Sequence, residues 1–257
     1  MIGLLFDANL CVGCGSCMEA CKAENNLPPS EGKVLSAADY NVIEELENVY
    51  VRRSCMHCLE PSCASACPVG ALKKTSAGPV VYDFDRCIGC RYCMVACPFG
   101  VPRYEWASRT PRVRKCQLCP QRVAEGRPTA CAEACPSGAT TFGNRADLLA
   151  EAWKRIAADP QNYAQKVYGT QEAGGTSVLI IGPQEVMNAF DPRIPQESLP
   201  KKTWVVLSQI PTAVGAAGAG LLAVNWIIRR RMALANGNGG NGHQDPPASD
   251  PRKGAES

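Results

Sequence analysis

Sixteen cysteines stand in four sets of four, and none is left over. Cys11, Cys14, Cys17 and Cys21 follow the spacing C-x2-C-x2-C-x3-C, and Cys87, Cys90, Cys93 and Cys97 repeat it and add Pro98. Cys55, Cys58, Cys63 and Cys67 stretch the middle gap to four residues, while Cys116, Cys119, Cys131 and Cys135 stretch it to eleven. These two runs end in Pro68 and Pro136. Cysteines two residues apart lie on a tight loop with their sulfurs converging, and the fourth lies about one helical turn further on and points away. A proline next cannot easily continue a helix and turns the chain back.

Soft thiolates converging in this way suit iron–sulfur clusters better than hard cations. The run C-x2-C-x2-C-x3-C-P is that of bacterial [4Fe–4S] ferredoxins, in which the fourth cysteine ligates the other cluster of a pair. Sixteen ligands therefore predict four [4Fe–4S] clusters and a chain that conducts electrons. Gly13, Gly15 and Gly89 let the backbone approach sulfur closely, where amide N–H groups can bond and tune a cluster.

Structural zinc also uses C-x2-C pairs, but two pairs make one tetrahedral site and need no further C-x3-C step. A disulfide framework belongs to small secreted chains without a core. At 257 residues this chain has length enough for one, and tight C-x2-C repeats make poor structural bridges. The 20 prolines and 23 glycines suit a loop-rich protein folded around metal, so the metal-free chain is expected to be largely unfolded. A net charge of +3, with no basic patch interleaved with aromatics, argues against nucleic acid.

The fold class expected is α+β, with two pseudo-symmetric ferredoxin-like domains binding four cubane clusters over residues 1–145. Met1–Asp7 reads as a strand, as do Val49–Arg52 and Pro79–Asp83. Short segments such as Val69–Lys74 and Ser137–Phe142 follow the cysteine groups, giving repeated strand, cysteine loop, helix and strand units. Residues 22–48 form an insertion. An extension over residues 146–200 opens with a helical pattern, Leu148, Leu149, Ala152, Trp153 and Ile156 on one face, and at Gly174–Ile181 reads as a glycine turn into a buried strand.

Residues 203–228 carry no charge for twenty-six positions, long enough to cross a hydrocarbon core of about 30 Å. Lys201-Lys202 and Arg229-Arg230-Arg231 bracket the stretch, and Trp204 and Trp226 stand near the two interfaces. A transmembrane helix is expected over 201–231 and a disordered tail over 232–257. Gly215–Gly220 would allow close packing on another membrane helix. The arginine triplet places the tail in the cytoplasm and the cluster domain in the periplasm, single-pass in the inner membrane. Met1–Asp7 does not read as a signal peptide, so export with a signal-bearing partner is the expectation.

No Ser–His–Asp arrangement, dinucleotide fingerprint or HExxH motif is present, and no catalytic residue is assigned. The only histidines are His57, between two cysteines, and His243 in the tail, and neither reads as a ligand. The expected span lacks the histidine pair of a b-type haem.

The runs Cys11-Val12-Gly13-Cys14, Cys55-Met56-His57-Cys58, Cys87-Ile88-Gly89-Cys90-Arg91-Tyr92-Cys93-Met94-Val95-Ala96-Cys97-Pro98 and Lys115-Cys116-Gln117-Leu118-Cys119 resemble the four-cluster electron-transfer subunits of respiratory oxidoreductases. With the apolar segment, the chain resembles the beta subunit of membrane-bound formate dehydrogenases and the iron–sulfur subunit of quinone-linked nickel–iron hydrogenases. The resemblance implies that Cys11, Cys14 and Cys17 share a cluster with Cys135, and Cys116, Cys119 and Cys131 with Cys21. It likewise groups Cys55, Cys58 and Cys63 with Cys97, and Cys87, Cys90 and Cys93 with Cys67. The first group departs from the family pattern in having Lys22 where a proline is usual. The implied partners are a catalytic molybdopterin or nickel–iron subunit and a polytopic quinone-reactive membrane subunit, with or without b-haem.

The function expected is non-catalytic electron transfer between those partners. A free-standing, membrane-anchored ferredoxin is the alternative. An enzyme using a cluster as Lewis acid would need an incomplete ligand set, and all four sets are complete.

Overall fold

The computed structural model describes residues 1–237. Met1–Trp204 form one compact unit and a second begins at Val205. The first strand, β1 (Ile2–Asp7), is buried from Gly3 onward. It is apolar on both faces because both are covered. Leu4 and Phe6 face a core that includes Cys17 and Cys131, while Leu5 packs under a helix.

The first cysteine group opens α1 (Ser16–Asn25), which continues past Cys21 because Lys22 does not stop it. Lys22 instead reaches Asp39, 3.4 Å away. The insertion contributes β2 (Asn41–Leu46), a strand absent from the sequence reading, paired antiparallel with β3 (Val49–Ser54). The second group spans α2 (Ser62–Ser65) and leads into β4 (Leu72–Lys74), which pairs with β5 (Val80–Tyr82). The third group holds α3 (Tyr92–Ala96), followed by the two-residue pair β6 (Arg103–Tyr104) and β7 (Val113–Arg114). The eleven-residue gap of the fourth group is filled by α4 (Pro120–Ala124), and α5 (Ala130–Glu133) carries Cys131.

The chain then returns to its start. β8 (Thr140–Asn144) pairs antiparallel with β1, and β9 (Val178–Ile181) pairs with it in parallel, giving the order β8-β1-β9. Between them α6 (Arg145–Ala158) begins at Asn144, whose side chain accepts from the Ala146 amide at 3.0 Å. Leu148, Ala152 and Ile156 pack on Leu5, Leu179 and Ile181. Trp153, placed on that face by the sequence reading, is exposed. The extension thus completes the central sheet, and α7 (Gln184–Asn188) follows it.

The apolar C-terminal segment is helical but broken. α8 (Leu199–Leu207) and α9 (Ile210–Gly237) meet at Ser208-Gln209. Pro211 has no amide hydrogen and would clash with a preceding carbonyl, so the helix cannot run through it. At the start of α9 Gln209 O accepts from both the Ala213 amide at 3.0 Å and Thr212 Oγ1 at 2.7 Å. Leu199–Ala235 is long and apolar enough to cross a membrane, and none of its apolar window is buried in the protein. α9 passes the expected end at Arg231, so residues 232–237 are helical rather than tail. Residues 238–257, the rest of the expected tail, lie outside the described residues.

Candidate functional site

Each cysteine group is bent by the same backbone device. The residue before the second cysteine is left-handed in all four loops: Gly13 at φ 68°, His57 at 49°, Gly89 at 71° and Leu118 at 62°. A left-handed residue there turns successive amides towards sulfur. The Gly89 amide donates to Cys87 Sγ and the Leu118 amide to Cys116 Sγ, both at 3.4 Å. Further along, the amides of Ala71 and Thr140 donate to Cys67 and Cys135 at 3.2 and 3.4 Å. Amide donors of this kind stabilise thiolate over thiol.

The sixteen cysteines are all free of disulfides, and in two places cysteines of two runs come together. One small cavity is lined by Cys116, Cys119 and Cys131 together with Cys21. A second is lined by Cys87, Cys90 and Cys93 with Cys67. Cys11 lies close enough to Cys17, Cys135 and Cys14 to be influenced by their charges, and Cys58 to Cys55, Cys97 and Cys63. Charge influence also runs between Cys17 and Cys131, Cys116 and Cys55, and Cys63 and Cys93.

Burial pushes the Cys21 and Cys63 thiols up to about 12 and Cys93 to about 11, and holds Cys116 well above the usual range. Without a cation these sulfurs would be protonated. Iron removes that obstacle, since a coordinating thiol is deprotonated outright. Apolar cavities walled by four soft donors and supplied with amide hydrogens therefore fit [4Fe–4S] clusters.

Cys131 differs from these four sulfurs. Burial pushes it up, but the Arg52 charge and bonds from Thr129 and Arg52 hold it below the ordinary value. Arg52 Nη2 donates to Cys131 Sγ at 3.1 Å and Nη1 to Thr140 Oγ1 at 3.1 Å. The sequence reading took Arg52 only as the last residue of a strand, Val49–Arg52. Its one signal was an arginine in a strand otherwise fit for burial. Lys115, also missed, is buried and donates to the carbonyls of Val80 and Cys116 at 2.5 and 3.0 Å.

Residues 46–145 match the 4Fe-4S dicluster domain family, and residues 10–72 match a second family of the same description. The chain is 33% identical to the hydrogenase-2 operon protein HybA of Escherichia coli O157:H7, over 95% of this chain and 88% of that one. It is 32% identical to the formate dehydrogenase iron-sulfur subunit of Haemophilus influenzae, over 87% and 78% respectively. It is 34% identical to the iron-sulfur cluster-binding subunit of a menaquinone reductase from Nitratidesulfovibrio vulgaris, over 63% and 87%. The thiol-lined cavities and these relatives agree: the chain belongs to the family of [4Fe–4S] electron-transfer subunits that includes HybA and the formate dehydrogenase iron–sulfur subunits, and it carries electrons without itself being the catalytic subunit.

Proposed function

We propose that the chain holds four [4Fe–4S] clusters in a row and conducts electrons between a catalytic subunit and a quinone-reactive membrane subunit. The ligand sets are Cys11, Cys14, Cys17 with Cys135; Cys116, Cys119, Cys131 with Cys21; Cys55, Cys58, Cys63 with Cys97; and Cys87, Cys90, Cys93 with Cys67. The observation that carries this reading is the pair of cavities each lined by four cysteines from two runs, Cys116, Cys119 and Cys131 with Cys21, and Cys87, Cys90 and Cys93 with Cys67. The mutual charge influence of Cys17 and Cys131, Cys116 and Cys55, and Cys63 and Cys93 supports the order just given.

When bound, the clusters supply one-electron oxidation and reduction. The protein keeps water from the inner positions and leaves the ends accessible. Cys14 is exposed at one end of the row, beside Val12, which is 62% exposed. At the other end Ile88 is 65% exposed, with Tyr92 and Val95 also at the surface. Their counterpart in the second group, Met56, is buried.

The two halves of the cysteine region, each a pair of sets, form pseudo-symmetric ferredoxin-like domains within residues 1–145. The apolar helix anchors the chain in the inner membrane, with the cluster domain in the periplasm and the arginine triplet in the cytoplasm. The partners are a molybdopterin or nickel–iron catalytic subunit and a polytopic quinone-reactive subunit.

Metal analysis of the complex carrying this chain, purified from native membranes in mild detergent, tests the reading. About sixteen iron atoms per chain beyond the partner's share are expected from four ligands and four irons per cluster. Molybdenum or tungsten in the same peak identifies one class of partner and nickel the other. Substantially less iron, or no second metal, overturns the count or the catalytic partnership.

A further inference from the structure

Arg52 is a cation buried where a protein cannot leave one unpaired. It is 2% exposed, and no ion pair joins it to a carboxylate among the described residues. Its Nε has no hydrogen-bond partner there. Burying an uncompensated charge costs several kcal/mol, so a buried guanidinium implies negative charge beside it. The groups beside it are sulfurs. It lines the cavity walled by Cys21, Cys116, Cys119 and Cys131 and donates directly to Cys131.

Position makes this more than charge balance. Arg52 sits on β3, the strand leading into the second cysteine group, yet it reaches a ligand of the fourth. Thr140, which fixes its other arm, lies on β8 beside Cys135, and its amide bonds Cys135 Sγ. The guanidinium is therefore held between the cavity of Cys116, Cys119, Cys131 and Cys21 and the set containing Cys135.

We propose that Arg52 is a potential-setting residue: its fixed charge and its bond to Cys131 raise the reduction potential of the cluster held by Cys21, Cys116, Cys119 and Cys131. The inference rests on the four-cluster reading above. When one electron reaches this cluster its neighbour is oxidised by one, and no proton need move, since arginine stays charged. The added negative charge is stabilised by the adjacent guanidinium more than the oxidised state is. Hydrogen bonds to cluster sulfur and local charge are recognised determinants of such potentials.

Two measurements on the intact complex test it. Pulsed EPR of the complex carrying arginine labelled with 15N in the guanidinium should show, in the wild type, a nitrogen coupling on one cluster signal that Arg52→Gln removes, while any coupling from Arg91, which lines the Cys87 cavity, is unchanged. Redox titration of Arg52→Gln should then lower the midpoint of that same signal by at least tenfold in its oxidised–reduced equilibrium, 59 mV for a one-electron couple. Arg52→Lys, which keeps the charge, should recover at least half of the shift.

Absence of arginine coupling in the wild type overturns the proposal without any variant needing to fold. So does an unmoved midpoint in a variant with all four signals, or an Arg52→Lys shift as large as that of Arg52→Gln. Fewer than four cluster signals in the wild type would instead defeat the four-cluster reading.

Discussion

His57 Nδ1 accepts the Val80 amide hydrogen at 2.9 Å, tying the loop of the second cysteine group to the strand that leads into the third. This places the imidazole proton on Nε2. Burial, with the charges of Lys115, Lys74 and Arg52, keeps the ring neutral, holding its pKa well below the ordinary value. His57→Ala strands the buried Val80 amide and should cost about 2–3 kcal/mol. His57→Asn, able to offer an acceptor, should lose less. Thermal melts followed by the visible absorbance of the clusters would rank the two.

Asp7 ends β1 completely buried, accepting from Tyr163 Oη at 2.9 Å and Arg155 Nη1 at 3.1 Å. Arg155→Ala leaves the carboxylate buried with only neutral donors. Removing one member of a buried ion pair costs about 3–5 kcal/mol, and the low end applies because Arg155 is partly exposed. Asp7→Asn with Arg155→Gln should recover much of that loss, measured by denaturant titration of the complex.

Gly89→Ala forces a side chain into a left-handed position, where L-residues pay about 1–2 kcal/mol. Gly13→Ala should be worse, because a Cβ there would run into the Tyr50 ring. Both should lower iron occupancy on mild heating, with Gly13→Ala the first to lose iron.

Val214 and Leu221 are exposed on α9. Arginine at a membrane-helix centre costs about 2.5–3.5 kcal/mol per residue. Val214→Arg with Leu221→Arg should therefore move the chain out of the alkali-washed membrane fraction. Retention there would mean that protein partners, not lipid, hold it.

Iron removal should unfold the chain unevenly. Two of its apolar clusters are built around thiols, one on Cys21, Cys55 and Cys116 and another on Cys63 and Cys93. The layer of Leu5, Leu148, Ile156 and Leu179 contains no cysteine. Hydrogen exchange after chelation under reducing conditions should show β4–β5 and β6–β7 losing protection first and this layer last. Equal loss everywhere would show that metal supports the whole unit.

Ligand chemistry was legible because cysteine spacing is local: a C-x-x-C loop is written in four consecutive residues. The same holds for β1, β5 and β9, whose apolar runs are continuous, and for α6, whose periodicity spans three turns. β6 and β7 could not be read, since two residues carry no period. His57 and Leu118 hide their left-handed turns because neither is glycine, and the surrounding cysteine loop imposes the conformation. Arg52 was illegible for a different reason. Its meaning depends on Cys131 and Thr140, 79 and 88 residues away, and no local pattern records a partner at that distance. The break at Ser208-Gln209 was marked by Pro211, but the uncharged run around it masked the signal.

The pairing of β1 also sets an order of assembly. The hairpins β2–β3, β4–β5 and β6–β7 close over short stretches as the chain leaves the ribosome. β1 made first has no strand partner until residues 140–144 arrive, and is not flanked on both edges until Ile181 is made. Through that interval its apolar face stays uncovered, and the cysteines of the first group wait beside it. Of these strands β1 therefore needs shelter for longest, and a truncation between β8 and β9 would leave one of its edges open to aggregation.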